Sequence, residues 1–285
     1  MSISPALPDQ RKPVKAFIFA ILLFETFALF VRSYVQLELR ESGLSADDAK
    51  HLSYLVVPII LGILMYPILR DNQAYLCGLF ETKYLRPRLI ITAVAVGMLA
   101  RIVWWSQLVA RISFGVTTNS DPSATVGPEF SFGCPGLHWL LLGILVMAVL
   151  VPFIEEIINR GLIQSSLMRQ NRLFAIIVSA FLFAVYHPFA GIPFVFVFGV
   201  VFGIQFANTR TLWATVITHA TYNGMLQIDW GCAQTRWNPR PDDLPLICAG
   251  TIALLTLVFS MTAICYLISA KWTGASTAPR SAMLL

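Results

Sequence analysis

Residues 151–160 read VPFIEEIINR, two adjacent carboxylates and an arginine set in a long apolar run. Charge in such a run needs a physical reason, because an ionisable side chain in hydrocarbon costs roughly 2.5 to 3.5 kcal/mol even on lenient insertion scales. Residues of that kind face a polar interior and usually act. On a helix Glu156 and Arg160 lie four apart with the carboxylate on the N-terminal side, the favourable order for an ion pair. Glu155 points about 100 degrees away from Glu156. The simplest division of labour has Arg160 neutralise and hold Glu156 while Glu155 stays free to work. Pro152, just before, starts a new helical segment or kinks the old one, and a broken helix within a membrane commonly lines a cavity.

The rest of the chain sets the class. Of 285 residues, 57% are hydrophobic and only 12% charged, far from the balance of a soluble domain. At about 20 residues per crossing, an all-α polytopic transmembrane bundle of about eight spans uses nearly the whole chain. Spans are expected at 16–37, 52–69, 89–109, 137–153, 174–187, 192–206, 211–228 and 246–270, the fifth and sixth being short. Residues 1–285 then form one membrane-embedded domain, and the polar groups that could do chemistry gather within 137–228.

A formal charge of +5 does not indicate nucleic acid, because the basic residues are scattered at the ends of apolar segments. They read as orientation signals. Thirteen of the twenty Lys and Arg residues, Arg160 among them, fall on one side of the eight spans and five on the other. Both termini are therefore expected to be cytoplasmic. Two longer outside loops follow, about 110–136 and 229–243, each holding one cysteine, Cys134 and Cys232, where a bridge is conceivable. The five cysteines make no CxxC pair and no zinc spacing.

Two later stretches carry matching groups, FAVYHPF with Phe183 and His187, and THATYNG with His219 and Asn223. His219 and Asn223 lie four apart, so an imidazole and an amide share a face and could donate together to one oxygen. Phe183 lies one turn before His187, which could orient a water or bind a metal. Each piece alone has a bland reading, an interfacial ion pair or an interhelical hydrogen bond. Glu25, Arg32 and Arg101 are intramembrane charges too, read as helix pairing or snorkelling. No Ser-His or Cys-His nucleophile pair is apparent and HExxH is absent. A proton-coupled transporter would use such carboxylates and histidines as a relay, but transporters usually show paired repeats, and here the polar groups are confined to the second half.

Taken in order, the three stretches resemble the membrane-embedded CAAX-type prenyl endopeptidase family, also called CPBP or ABI proteins, with the pattern EExxxR, FxxxH and HxxxN. The matching residues are Glu155, Glu156 and Arg160, then Phe183 and His187, then His219 and Asn223. Within the family the sequence is also similar to bacterial CAAX-protease-related proteins associated with exosortase sorting systems. The resemblance implies an intramembrane endopeptidase acting on a membrane-associated protein or peptide. Glu155 and His187 would activate water, and His219 with Asn223 would stabilise the oxyanion, with Glu156, Arg160 and Phe183 supporting. The family also contains immunity and scaffold-like proteins.

A metal is the open question of ligand chemistry. Glu155, His187 and His219 could form a His₂Glu zinc site with one open position. Asn223 is a poor zinc ligand, however, and suits an oxyanion better, so a metal-free glutamate mechanism without cofactor is favoured. Depth raises a second question. If every span crosses fully, Glu155 ends the fourth and His187 ends the fifth at opposite faces, ~20 Å apart at 1.5 Å per residue. Either the segment after Pro152 re-enters obliquely, or the short fifth span stops within the membrane.

Overall fold

Continuity through Pro152 organises the architecture. In the computed structural model, which describes residues 14–44, 46–114, 129–131, 137–187, 191–232, 234–236 and 244–269, residues 137–167 form one helical rod, α6. Before it come α1 (Val14–Glu41), α2 (Ala46–Ser53), α3 (Val56–Asp71), α4 (Gln73–Leu79) and α5 (Pro87–Ser113). After it come α7 (Arg172–Val185), α8 (Ile192–Thr209), α9 (Leu212–Cys232) and α10 (Leu244–Ser269). The helical membrane bundle expected from composition is therefore the fold.

Five helices among the described residues are long and apolar enough to cross a membrane: Ile18–Glu41, Pro87–Arg111, Leu140–Leu167, Ile192–Thr209 and Cys248–Ser269. The other three expected spans correspond to α3 and α7, with 16 and 14 residues, and to α9, which carries His219, Asn223 and Asp229 in its 21 residues. Helices in the polar centre of a bundle need less apolar surface than those facing lipid, since their neighbours supply the contacts.

The expected break at Pro152 does not occur. Residues Ile144–Leu150 and Ile157–Gln164 are wound as π-helix on either side of a short α-helical stretch, Val151–Glu156. The widened turns accommodate the proline without ending the rod. Val151 already bonds five residues back, to the Val146 carbonyl, so the same register would take the next donor to Met147. Proline has none.

α6 runs on to Leu167, and α7 starts at Arg172 and returns along it, stopping at Val185. The return brings Phe183 against both His187 and His219, at 5.0 and 5.7 Å between ring centres, and His219 Nε2 stands 3.7 Å from Glu155, so Glu155 and His187 border one region of the bundle. Arg160, counted above among the loop charges, lies inside the bundle with no exposed surface.

Two apolar clusters hold the helices together. One joins Ile21 and Ala28 of α1, Leu61 and Met65 of α3, Ile158, Leu162 and Ile163 of α6, and Phe206 of α8. The other joins Val96 and Ala100 of α5, Phe183 of α7, Phe198 and Phe202 of α8, and Ile264 of α10. Large apolar side chains such as Phe19, Phe30, Ile63, Phe181, Phe259 and Tyr266 face outward, as a lipid-facing surface requires. A feature not anticipated from sequence is a short antiparallel ribbon, β1 (Glu129–Ser131) with β2 (Gln234–Arg236), which joins the two expected outside loops. Cys134 lies outside the described residues, so its pairing with Cys232 does too. Cys77, Cys248 and Cys265 are free thiols.

Glycine sets the closest approach of α5 to α9. A Cβ on Gly97 would stand 2.6 Å from the Thr218 carbonyl oxygen and 2.7 Å from Thr221 Cβ, whereas one on Gly62 meets nothing within 4 Å. Gly97→Ala should therefore lower stability by about 1 to 3 kcal/mol, the usual cost of overpacking, read as a fall in melting temperature of the detergent-solubilised protein. Gly62→Ala should leave it unchanged or raise it, since alanine is the better helix former.

Candidate active site

α6 presents Glu155, Glu156 and Arg160 to three other helices, α7, α8 and α9. Glu156 and Arg160 have no exposed surface, and their Oε2 and Nε atoms lie 3.3 Å apart. The second oxygen of Glu156 receives His219 Nδ1 of α9 at 3.1 Å. With Nδ1–H donated to a carboxylate, the other imidazole nitrogen remains for the site. That nitrogen, Nε2, lies 3.7 Å from Glu155 Oε2, too far for a hydrogen bond. Glu155 has no arginine of its own, and its side chain is 24% exposed. The expected pairing of Glu156 with Arg160 is thus the geometry found, and Glu155 stands outside that pair.

Arg160 is enclosed rather than merely paired. Its Nη2 donates to the Gly199 carbonyl of α8 at 3.0 Å, and its guanidinium lies 4.8 Å from the Phe183 ring centre and 5.4 Å from that of Phe202. Cation–π contact with two rings suits the flat, weakly hydrated guanidinium where water is scarce. Phe183 also meets both histidines: its ring centre stands 5.0 Å from that of His187 and 5.7 Å, edge to face, from that of His219. Phe183 therefore forms the wall between the two imidazoles. His187 lies just past the end of α7 with Nδ1 3.0 Å from the Phe183 carbonyl oxygen, which leaves its Nε2 to the site.

Asn223 has a further duty. Its amide nitrogen donates to the Met147 carbonyl at 2.8 Å, the acceptor that Pro152 leaves without a backbone partner in the π-helical register. One amide hydrogen is thereby committed to the backbone of α6, and the second remains. The shared face of His219 and Asn223 thus docks α9 on α6 at two points, one at Glu156 and one at Met147.

Three contributors were not singled out from sequence. Gly199, Gly203 and Phe202 lie on α8, where Gly199 and Gly203 form a GxxxG pair in an apolar helix, the signal for close helix approach. A Cβ at Gly199 would stand 2.9 Å from Ala180 Cα, and one at Gly203 2.9 Å from Ile176 Cγ2, so α8 is pressed onto α7. The carbonyls of the same two glycines accept Arg160 and Gln164, the latter at 2.8 Å. These acceptors are backbone groups, which no side-chain motif announces.

The zinc set does not assemble. Among the described residues no three His, Cys, Asp or Glu side chains stand close enough to hold one ion. Glu155, His187 and His219 as placed therefore do not form a ready His₂Glu site.

Residues 137–225 match the family model described as type II CAAX prenyl endopeptidase, Rce1-like. This segment belongs to the CAAX endopeptidase family. The match spans α6 to α9 and contains every motif residue from Glu155 to Asn223. No curated protein and no solved structure matches the chain. The family is one of intramembrane proteases, and the apolar helices here fit an integral membrane protein.

If Asn223 substitutes for the donor that Pro152 lacks, the two residues are coupled. Asn223→Leu should destabilise the fold by about 1 to 3 kcal/mol by orphaning a part-buried carbonyl. Pro152→Ala in that background restores a backbone N–H and should recover part of the loss. Thermal melts of the two single variants and the double variant give the coupling; strict additivity would refute it.

Proposed function

We propose that this protein hydrolyses a peptide bond of a membrane-associated protein by a metal-free glutamate mechanism, within an intramembrane endopeptidase site. The observation that carries the reading is the asymmetry of the two glutamates. Glu156 is buried and committed to Arg160 and His219, whereas Glu155 is partly exposed and meets His219 Nε2 at 3.7 Å, beyond hydrogen-bond distance. A base must be free to approach its water and change its protonation, and a structural anion must not.

Glu155 takes the proton from a water held with help from His187, and the hydroxide adds to the scissile carbonyl. His219, anchored through Nδ1 on Glu156, turns Nε2 toward the developing oxyanion, and the second amide hydrogen of Asn223 adds a donor. Preorganised donors of this kind are worth about 2.7 to 4 kcal/mol each in comparable sites. The proton held by Glu155 then passes to the leaving nitrogen. Phe183 and Phe202 keep Arg160 in place and water away from it. The orientation follows the basic residues, with both termini in the cytoplasm of a bacterial cell, and the narrower resemblance points to substrates of an exosortase-linked sorting system.

Cleavage of a candidate substrate by purified, chelator-washed protein tests the reading. Glu155→Gln should abolish turnover and leave the melting temperature unchanged, because the amide keeps the shape and loses only the base. Glu156→Ala and Arg160→Ala should instead lower stability by about 3 to 5 kcal/mol, since each leaves a buried charge without its partner. Stoichiometric zinc that tracks activity in elemental analysis would overturn the metal-free choice.

A further inference from the structure

The turn from α6 to α7 and the turn from α8 to α9 bring three arginines to one end of the bundle. Arg172, the first residue of α7, donates through Nη2 to the side-chain oxygen of Asn208 in the last turn of α8. Arg210, just past the end of α8, reaches the other way, its Nη1 3.7 Å from the sulfur of Met168, the residue before Arg169. The crossed contacts tie the two turns together, and all three arginines are exposed. Tyr75 of α4 has both Arg169 and Arg210 as charged neighbours. Asn208 is itself fastened, its amide donating to the Ile268 carbonyl of α10 at 2.6 Å.

Two of the three stand against what their backbone prefers. Arg210 is the one non-glycine residue among those described with a positive φ, 57 degrees, in the left-handed cap position where glycine is usual because it carries no Cβ. Arg172 sits in the first turn of a helix, where the dipole opposes a cation. Carboxylates do not offset the charge either. Among the described residues none of the three forms an ion pair, and the charge that acts against Arg210 is that of Arg172. The bias of basic residues to one side of a membrane accounts for the side. It does not require three cations gathered around two joined turns, and such a gathering calls for an anion.

The surroundings select the kind of anion. Leu173, Ile177 and Phe181 recur every four residues along α7 and are all exposed, so an apolar stripe of the outer surface starts beside Arg172 and runs along the helix. We propose that Arg169, Arg172 and Arg210 bind the headgroup of an anionic phospholipid whose acyl chain lies along Leu173, Ile177 and Phe181. The phosphate accepts from the guanidinium forks, and basic clusters at the ends of membrane helices lie at the depth of lipid headgroups. A free phosphate would meet the charges but leave the stripe unused. Bound there, the lipid joins the ends of α6, α7 and α8, the helices that carry Glu156, Phe183 and Gly199, and sets attraction against the repulsion among the arginines.

Thermal melts of the full-length protein in mixed micelles compare dioleoylphosphatidylglycerol with dioleoylphosphatidylcholine at equal mole fraction. The anionic lipid should raise the melting temperature by about 3 °C or more over the zwitterionic one. In Arg169→Gln and Arg172→Gln most of that increment should be lost. Arg210→Gly is the sharper variant, because glycine suits the left-handed cap: in phosphatidylcholine it should melt no lower than the parent, yet lose the increment. Arg111→Gln is the control and should keep it. Arg111 belongs to the far end of the bundle, since Ser113 packs against Gly250 near the start of α10, whereas Asn208 meets Ile268 at the end of that helix. Equal melting in the two lipids, an increment unchanged in Arg172→Gln and Arg210→Gly, or a comparable loss in Arg111→Gln would overturn the site. Inorganic phosphate that reproduces the increment in phosphatidylcholine micelles would overturn the lipid as occupant. Should Arg210→Gly not fold, Arg172→Gln decides. The melts need no turnover, so they stand apart from the protease reading.

Discussion

The buried pair of Glu156 and Arg160 is the constraint on which the rest of the site depends. Neither side chain has exposed surface, and the desolvation of two such charges costs several kcal/mol per ion unless their remaining hydrogen-bonding capacity is met. The pair's partners come from three other helices: Gly199 and the ring of Phe202 from α8, His219 from α9, and the ring of Phe183 from α7. Solvating the pair therefore fixes four helices against one another. The same contacts place His219 Nε2 3.7 Å from Glu155, so the arrangement of the site follows from the solution to an electrostatic problem.

Pro152 poses the second problem and the π-helical turns answer it. A helix that stopped there would leave Glu155 at one face of the membrane. By widening on both sides of Val151–Glu156, α6 runs through and carries the carboxylates into the interior. The cost is a carbonyl without a donor at Met147, which Asn223 satisfies. Widened turns of this kind recur at functional sites, and here the second one carries Arg160, whose Nη2 donates to Gly199 of α8.

The close approach that Arg160 needs is supplied by absence of side chain. Gly199 and Gly203 let α8 lie on Ala180 and Ile176 of α7, which exposes their carbonyls to Arg160 and Gln164. In a membrane, where apolar burial adds little to helix association, close packing and polar contacts to backbone hold helices together.

Much of this was legible in the residues alone. An apolar chain with sparse charge must be a helical membrane bundle, because backbone polar groups in lipid can be satisfied only within helices or closed barrels. Spacing of four along a helix determined that Glu156 would meet Arg160, and left Glu155 apart from them. The order of the three motifs pointed to the family that the match over 137–225 shows. Tertiary structure decided what local spacing cannot encode. A proline has the same sequence signature whether it breaks a helix or is absorbed by a wider turn, and the partner that rescues its orphaned carbonyl lies 76 residues away in the chain. Backbone acceptors carry no side-chain letter, so Gly199 had no signature as a partner of Arg160.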